Sequence, residues 1–221
     1  ITYYTLLIAA FYAAARLIPV WYGSGWRFAA GRAAWVLALA LIGLSLGAIQ
    51  FVPLFEWAGQ NWRAERSSID TVLGYAHPLR DAVQFALPNF YGSPAHHSYF
   101  DWFSGQTVPV TVNTLGEAIT HTEWGIKNYV EGALYLGILP LALALYGIAR
   151  GRTIHRALHL VFALLGALAL TFMFGLPTYR LLYLLPGINQ LNSPFRWVFA
   201  VTLATAALAG FGADALLRDR S

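Results

Sequence analysis

The chain has 221 residues, of which 58% are hydrophobic and only 11% charged, against roughly 25% charged in an ordinary soluble domain. That leaves too little polar surface for a soluble globule of this size and argues against a cytosolic protein. The formal charge of +4 comes from arginines scattered beside apolar blocks; no basic run or aromatic–basic ladder follows a phosphate backbone, so no nucleic-acid partner is expected.

The apolar pattern predicts an all-α fold: a polytopic transmembrane bundle of about five spans, a large and mostly helical outer loop, and an outer interfacial or re-entrant segment. The chain enters an apolar stretch at Ile1, with no Met and no basic region of a signal peptide before it, so it reads as a piece of one membrane domain. The spans are expected at about 1–21, 33–55, 130–149, 157–176 and 197–217, with the outer loop at 56–128 and the interfacial segment at 177–196. A helix rises about 1.5 Å per residue, so some 17–25 apolar residues cross about 30 Å of hydrocarbon.

The arginines orient these spans. Eight of the fourteen basic residues (Arg16, Arg27, Arg32, Arg150, Arg152, Arg156, Arg218 and Arg220) lie in or beside three short segments, and seven of the ten acids lie between Glu56 and Glu123. The positive-inside rule places the three segments and the C-terminus in the cytoplasm and the long loop outside. The expected location is therefore a cell membrane, crossed several times, with membrane lipids as partners. Trp21, Trp26, Trp35, Trp57, Trp62, Trp124 and Trp197 fall near the expected span ends, where an indole suits the headgroup layer.

Within the loop, helical patches are expected at about 56–66 and 78–86, a short helix or turn from Ser67, and β-like alternation over Thr107–Val112. Its many aromatic residues argue for order, and ordered loops of this length are usually functional. Polar backbone at membrane depth needs protein or a water-filled cavity to receive it, so the 177–196 segment is expected to pack under the loop.

Several residue groups then stand out. Gln50 and Glu56 flank Pro53 at near-helical spacing and are expected to face one cavity, with Glu56 suited to general-base or metal chemistry. Glu123, Lys127 and Glu131 are spaced i, i+4, i+8 with Asn128 beside them, as on one helix stripe; ion pairing along the helix explains the first two equally well. Arg180 and Arg196 flank the interfacial segment, and a guanidinium at headgroup level matches a lipid phosphate. His77, His96, His97 and His121, with Asp101 and Glu123, raise the question of a metal. No zinc-ligand spacing appears, and loop carboxylates favour Mg²⁺ or Mn²⁺ as the possible cation. Cysteine is absent, which removes thiolate sites.

Three stretches are similar to one family. Glu123-Trp-Gly-Ile-Lys-Asn-Tyr-Val-Glu-Gly-Ala-Leu-Tyr-Leu-Gly-Ile-Leu-Pro140, Gly175-Leu-Pro-Thr-Tyr-Arg-Leu-Leu-Tyr-Leu-Leu-Pro-Gly-Ile-Asn-Gln-Leu-Asn-Ser-Pro-Phe-Arg196 and Gln50-Phe-Val-Pro-Leu-Phe-Glu56 resemble, in order, segments of bacterial YfhO-like membrane proteins. At Asn192 that family often carries Arg. The resemblance implies a GT-C type glycosyltransferase with its active site on the outer face, a polyprenyl-phosphate sugar as donor and a cell-envelope glycan as acceptor. It further implies that Arg180 and Arg196, assisted by Lys127, neutralise the leaving lipid phosphate. Gln50, Asn128 and Asn192 would line the cavity, while Glu56, Glu123 and Glu131 serve as catalytic carboxylates that orient the sugar or an ion. The rival readings are a lipid or polysaccharide transporter or flippase, and a non-catalytic scaffold whose loop binds a partner. Charge-free, uninterrupted blocks without an inverted repeat count against the transporter.

Overall fold

The structure is a computed structural model that describes residues 2–58, 67–93, 98–109, 129–150, 156–185, 188, 191 and 193–219. Of the described residues 73% are helical and 5% strand, an all-α fold. Among the described residues four helices are long and apolar enough to cross a membrane: Tyr3–Ser24, Trp26–Leu46, Arg156–Met173 and Pro194–Arg218. Two compact units are present, Ile1–Ser67 and Ser68–Ser221.

The first unit is a run of three helices, α1 (Thr2–Ser24), α2 (Trp26–Leu46) and α3 (Ala48–Ala58). Gly25 has φ +86°, a backbone conformation that costs glycine little, and it alone separates α1 from α2. Ala14, Leu17 and Trp21 of α1 and Trp26, Ala29 and Ala33 of α2 line one apolar groove. The expected span at 33–55 is divided between two helices. α2 begins at Trp26 because Arg27 and Arg32 lay their guanidinium groups over the Trp26 and Phe28 rings, at 5.6 and 5.0 Å, and so join the helix as amphipathic side chains. The break falls at Gly47, and Pro53 lies inside α3.

The second unit is built on α5 (Ile138–Arg150), α6 (Arg156–Met173) and α8 (Val198–Arg218). Val201, Ala204, Leu208 and Gly212 form the buried stripe of α8, at the i+3/i+4 spacing of one helix face. Facing it are Leu165, Gly166 and Ala169 of α6 and Ala144 and Gly147 of α5. Small residues draw these helices together, as they do in lipid, where close backbone approach drives association. A Cβ at Gly147 would lie 2.7 Å from the Leu208 carbonyl oxygen, and one at Gly166 would lie 3.1 Å from the Ala204 Cβ. At the far end, the Tyr146 hydroxyl donates to Asp219 at 2.5 Å and ties α5 to α8.

The expected helix at 130–149 is shorter than the apolar run. Residues 129–137 form turns and extended backbone, and α5 starts only at Ile138. Gly137 has φ +91°, and Pro140 occupies the first turn, where a missing N–H is tolerated. At 13 residues, α5 is about 20 Å long and falls short of the hydrocarbon thickness. Glu131 lies in a turn rather than on a helix, and Glu123 and Lys127, the other members of the expected stripe, lie outside the described residues.

The loop and interfacial segments hold small elements. Ser68 caps α4 (Ile69–Leu73) by accepting the Thr71 N–H at 3.1 Å, as an N-cap serine should. A 3₁₀ helix spans Leu79–Phe85, and an antiparallel hairpin pairs β1 (Ser98–Asp101) with β2 (Gln106–Pro109), Tyr99 opposite Val108. This hairpin departs from the mostly helical loop expected. In the 177–196 segment, α7 (Tyr179–Tyr183) and a 3₁₀ turn at Pro194–Trp197 precede α8. Tyr179, Ile188 and Pro194 are fully buried there.

Candidate functional site

The site forms where the C-terminal end of α6 meets the start of α8. The His77 N–H donates to the Met173 carbonyl oxygen at 3.0 Å, satisfying one of the acceptors that a helix end leaves open. Gly175 makes this approach possible, because a Cβ there would lie 2.8 Å from that of Ala76, and its φ is +62°. Pro78 then starts the 3₁₀ helix and places Asp81 in its first turn, where a carboxylate is favoured by the backbone dipoles.

His77 and Asp81 are bonded to each other, Nδ1 to Oδ2 at 3.0 Å, with only 3% and 1% of their side chains exposed. The Phe195 ring stands edge-on to His77, with centroids 6.4 Å apart. The second Asp81 oxygen, Oδ1, is buried and has no hydrogen-bond partner among the described residues. Buried acceptors are almost always bonded, so this oxygen is left to accept from a further donor, ordered water included.

A cavity of about 50 Å³ opens beside the pair, lined by His77, Asp81, Gln84, Tyr91, Tyr129 and Tyr135. The segment 129–137 forms one wall and is fastened at two points. The Leu136 N–H donates to the Phe85 carbonyl oxygen at 3.1 Å, and the Tyr129 hydroxyl donates to Asn89 Oδ1. Asn89 has φ +58°, a left-handed conformation that asparagine tolerates better than most residues. Burial pushes the Tyr129 phenol above its ordinary pKa, which keeps it a neutral donor. Arg80 lies 5.2 Å over the Tyr91 ring, and the Tyr91 hydroxyl donates to the Arg80 carbonyl oxygen at 3.4 Å.

The same wall carries Glu131, which meets Arg196. The guanidinium Nη2 and Nε donate to Glu131 Oε2 at 2.6 and 3.2 Å. Arg196 is 35% and Glu131 46% exposed, so the pair is open to solvent and contributes less than about 1 kcal/mol to stability. The expected site residues are thus brought together in one case, Glu131 with Arg196. Arg180 lies exposed on α7 and makes no ion pair among the described residues. Gln50 and Glu56 are both exposed on α3 in the other unit, about 120° apart around the helix, rather than facing one cavity. Glu123, Lys127, Asn128 and Asn192 lie outside the described residues.

Asp81 is the residue that sequence reading passed over. Its signal was present in His77-Pro78-Leu79-Arg80-Asp81: a proline that starts a helix, an acid in the first turn, and a histidine four residues before it. Among the described residues no three His, Asp or Glu side chains converge as metal ligands; His96, His97, His121 and Glu123 lie outside them. The cavity offers a single free carboxylate oxygen, a poor match for Mg²⁺ or Mn²⁺, which seek about six oxygens.

Chemically, the segment that walls the cavity also carries Glu131, so it presents a solvent-open ion pair with Arg196 and borders a recessed carboxylate oxygen that can accept a hydrogen bond. No protein-family model, curated protein or solved structure matches the chain.

Proposed function

We propose that the chain belongs to a membrane glycosyltransferase of the GT-C type. It would move a sugar from a polyprenyl-phosphate donor to a cell-envelope glycan acceptor on the extracytoplasmic face of the bacterial plasma membrane. The observation that carries this reading is the position of Arg196. It is a half-exposed cation in the turn that opens a membrane-length helix, within reach of a carboxylate and beside a polar cavity. The start of α8 carries the positive end of the helix dipole, so Arg196 adds its charge to a region already favourable to anions.

In the reaction, the acceptor oxygen bonds to the sugar's anomeric carbon as the bond from that carbon to the phosphate oxygen breaks. Negative charge then grows on the lipid phosphate, and Arg196 holds it with two N–H donors in fork geometry. Glu131 leaves the guanidinium as the phosphate arrives and takes the proton of the acceptor hydroxyl. Arg180 adds positive charge in the same 177–196 segment, and Lys127 is taken to assist. The resemblance to YfhO-like proteins supports the same donor chemistry.

The test is transfer by the full-length protein in proteoliposomes, with label on the sugar of the donor lipid. Label should pass to the acceptor fraction, and Arg196→Ala should slow it on the order of 100-fold, as loss of one fixed transition-state donor does. Label that stays on the lipid with wild-type protein counts against the reading.

A further inference from the structure

We propose that the cavity beside His77 and Asp81 is a hydroxyl-binding subsite, taking one hydroxyl or hydroxymethyl edge of the donor sugar on Asp81. This rests on the reading of Arg196 as the donor-phosphate site and adds to it the part that would recognise the sugar.

Three observations converge. Asp81 is 1% exposed, lines the cavity, and has one oxygen occupied by His77 while the other lacks a partner among the described residues. A buried acceptor in that condition calls for a donor, and a carboxylate repels an anion; an O–H group of the proposed sugar donor meets both conditions. The remaining walls have the character of a sugar site. Gln84 offers both a donor and an acceptor, and Tyr135, 53% exposed, offers aromatic surface for the apolar face of a ring.

Size and position settle which part of the ligand enters. About 50 Å³ of cavity holds a few water-sized groups, not a whole pyranose, so the ring edge enters and the ring itself stays outside. Gly132 and Tyr129 line the cavity on either side of Glu131, and Phe195, next to Arg196, packs edge-on against His77. A phosphate on Arg196 and a sugar edge on Asp81 are then adjacent, as they are in a sugar phosphate. His77 acts as a positioning residue: its bond to Oδ2 fixes the carboxylate so that Oδ1 is left for the ligand.

The experiment compares retention of polyprenyl phosphate with that of its glucose, N-acetylglucosamine and mannose esters, by native mass spectrometry of the full-length protein. Wild type should hold at least one sugar lipid about tenfold better than bare polyprenyl phosphate, roughly the value of one hydrogen bond to a charged group. Asp81→Leu should abolish that preference while retaining bare polyprenyl phosphate as wild type does, which also reports that the variant is folded. Gln84→Leu, at the partly exposed cavity wall, provides the same readout where Asp81→Leu fails to fold. A sugar preference that survives in the folded variants overturns the proposal and leaves the cavity to ordered water. So does a wild-type protein that holds all three sugar lipids no better than the bare phosphate. Failure of the donor-site reading looks different: wild type then holds polyprenyl phosphate no better than polyprenol, and the subsite falls with it.

Discussion

Arg196 stands at the end of α8 where the helix dipole disfavours a cation, and Glu131 is what compensates it. Because both side chains are half exposed, Glu131→Gln should lower stability by less than about 1 kcal/mol. It should also tighten retention of polyprenyl phosphate, since the competing carboxylate is gone, yet slow sugar transfer about 100-fold by removing the base. Parallel lipid-retention and transfer measurements check these opposite signs; a variant that weakens both places Glu131 in the binding of the lipid instead. Asp101 gives a second residue-scale test. The Ser104 hydroxyl and then the Phe103 N–H bond its carboxylate and hold its pKa below the ordinary 3.8. A depressed folded-state pKa contributes stability above the ordinary range, and that stability is lost as pH falls through the depressed value. Asp101→Asn should therefore raise deuterium uptake over 98–109 at neutral pH, with the difference between the two proteins shrinking as pH falls through the depressed pKa of Asp101. The residues of the site were legible in the sequence one at a time. Glu131 and Arg196 each stand out as charges beside apolar blocks, but their pairing spans 65 positions, and no spacing rule reaches that far. Asp81 was passed over for another reason: its importance comes from burial beside His77, and the i, i+4 spacing of the two gives their pairing but not their burial.

The packing of α5 on α8 depends on the absence of side chains. A Cβ at Gly212 would overlap the Leu143 carbonyl oxygen, whereas one at Gly210 meets nothing within 4 Å. Gly212→Ala should thus force the helices apart and cost about 1–3 kcal/mol or more, while Gly210→Ala should be neutral or stabilising by up to about 1 kcal/mol from helix propensity. Thermal unfolding in detergent separates them, and equal shifts for the two variants would contradict the packing described. The elements themselves show what an apolar pattern can reveal. α6 and α8 follow their blocks closely, because nothing in either block interrupts a helix. α5 does not, because Gly137 and Pro140 set its start by backbone geometry that hydropathy ignores. α2 likewise starts before its block, because Arg27 and Arg32 lie over aromatic rings and are carried within the helix. The 3₁₀ helix falls within the helical patch expected at 78–86. The hairpin at 98–109 was visible only as the alternation near Thr107, since its first strand, Ser98–Asp101, lacks a clear apolar period.

At the scale of the molecule, the long helices differ in how much protein surrounds them. The spanning windows of α1 and α2 are 6% buried, against 33% for α6 and 39% for the helix from Pro194 to Arg218. Apolar surface left open to this degree suits a lipid environment. From the arginine distribution we propose a direction, with residue 221 on the cytoplasmic side and the hairpin outside. Since the chain has no cysteine, single replacements report this cleanly. Phe103→Cys should react with a membrane-impermeant maleimide on intact cells, and Ser221→Cys only after permeabilisation; the reverse pattern would invert the topology and move the proposed site to the cytoplasmic face. The central claim is narrower: Arg196 takes a lipid phosphate. Native mass spectrometry of the full-length protein with polyprenyl phosphate and with polyprenol, in wild type and Arg196→Ala, tests it most directly. Wild type should retain the phosphate form selectively and the variant should lose that selectivity; equal retention of phosphate and alcohol by wild type would contradict the account.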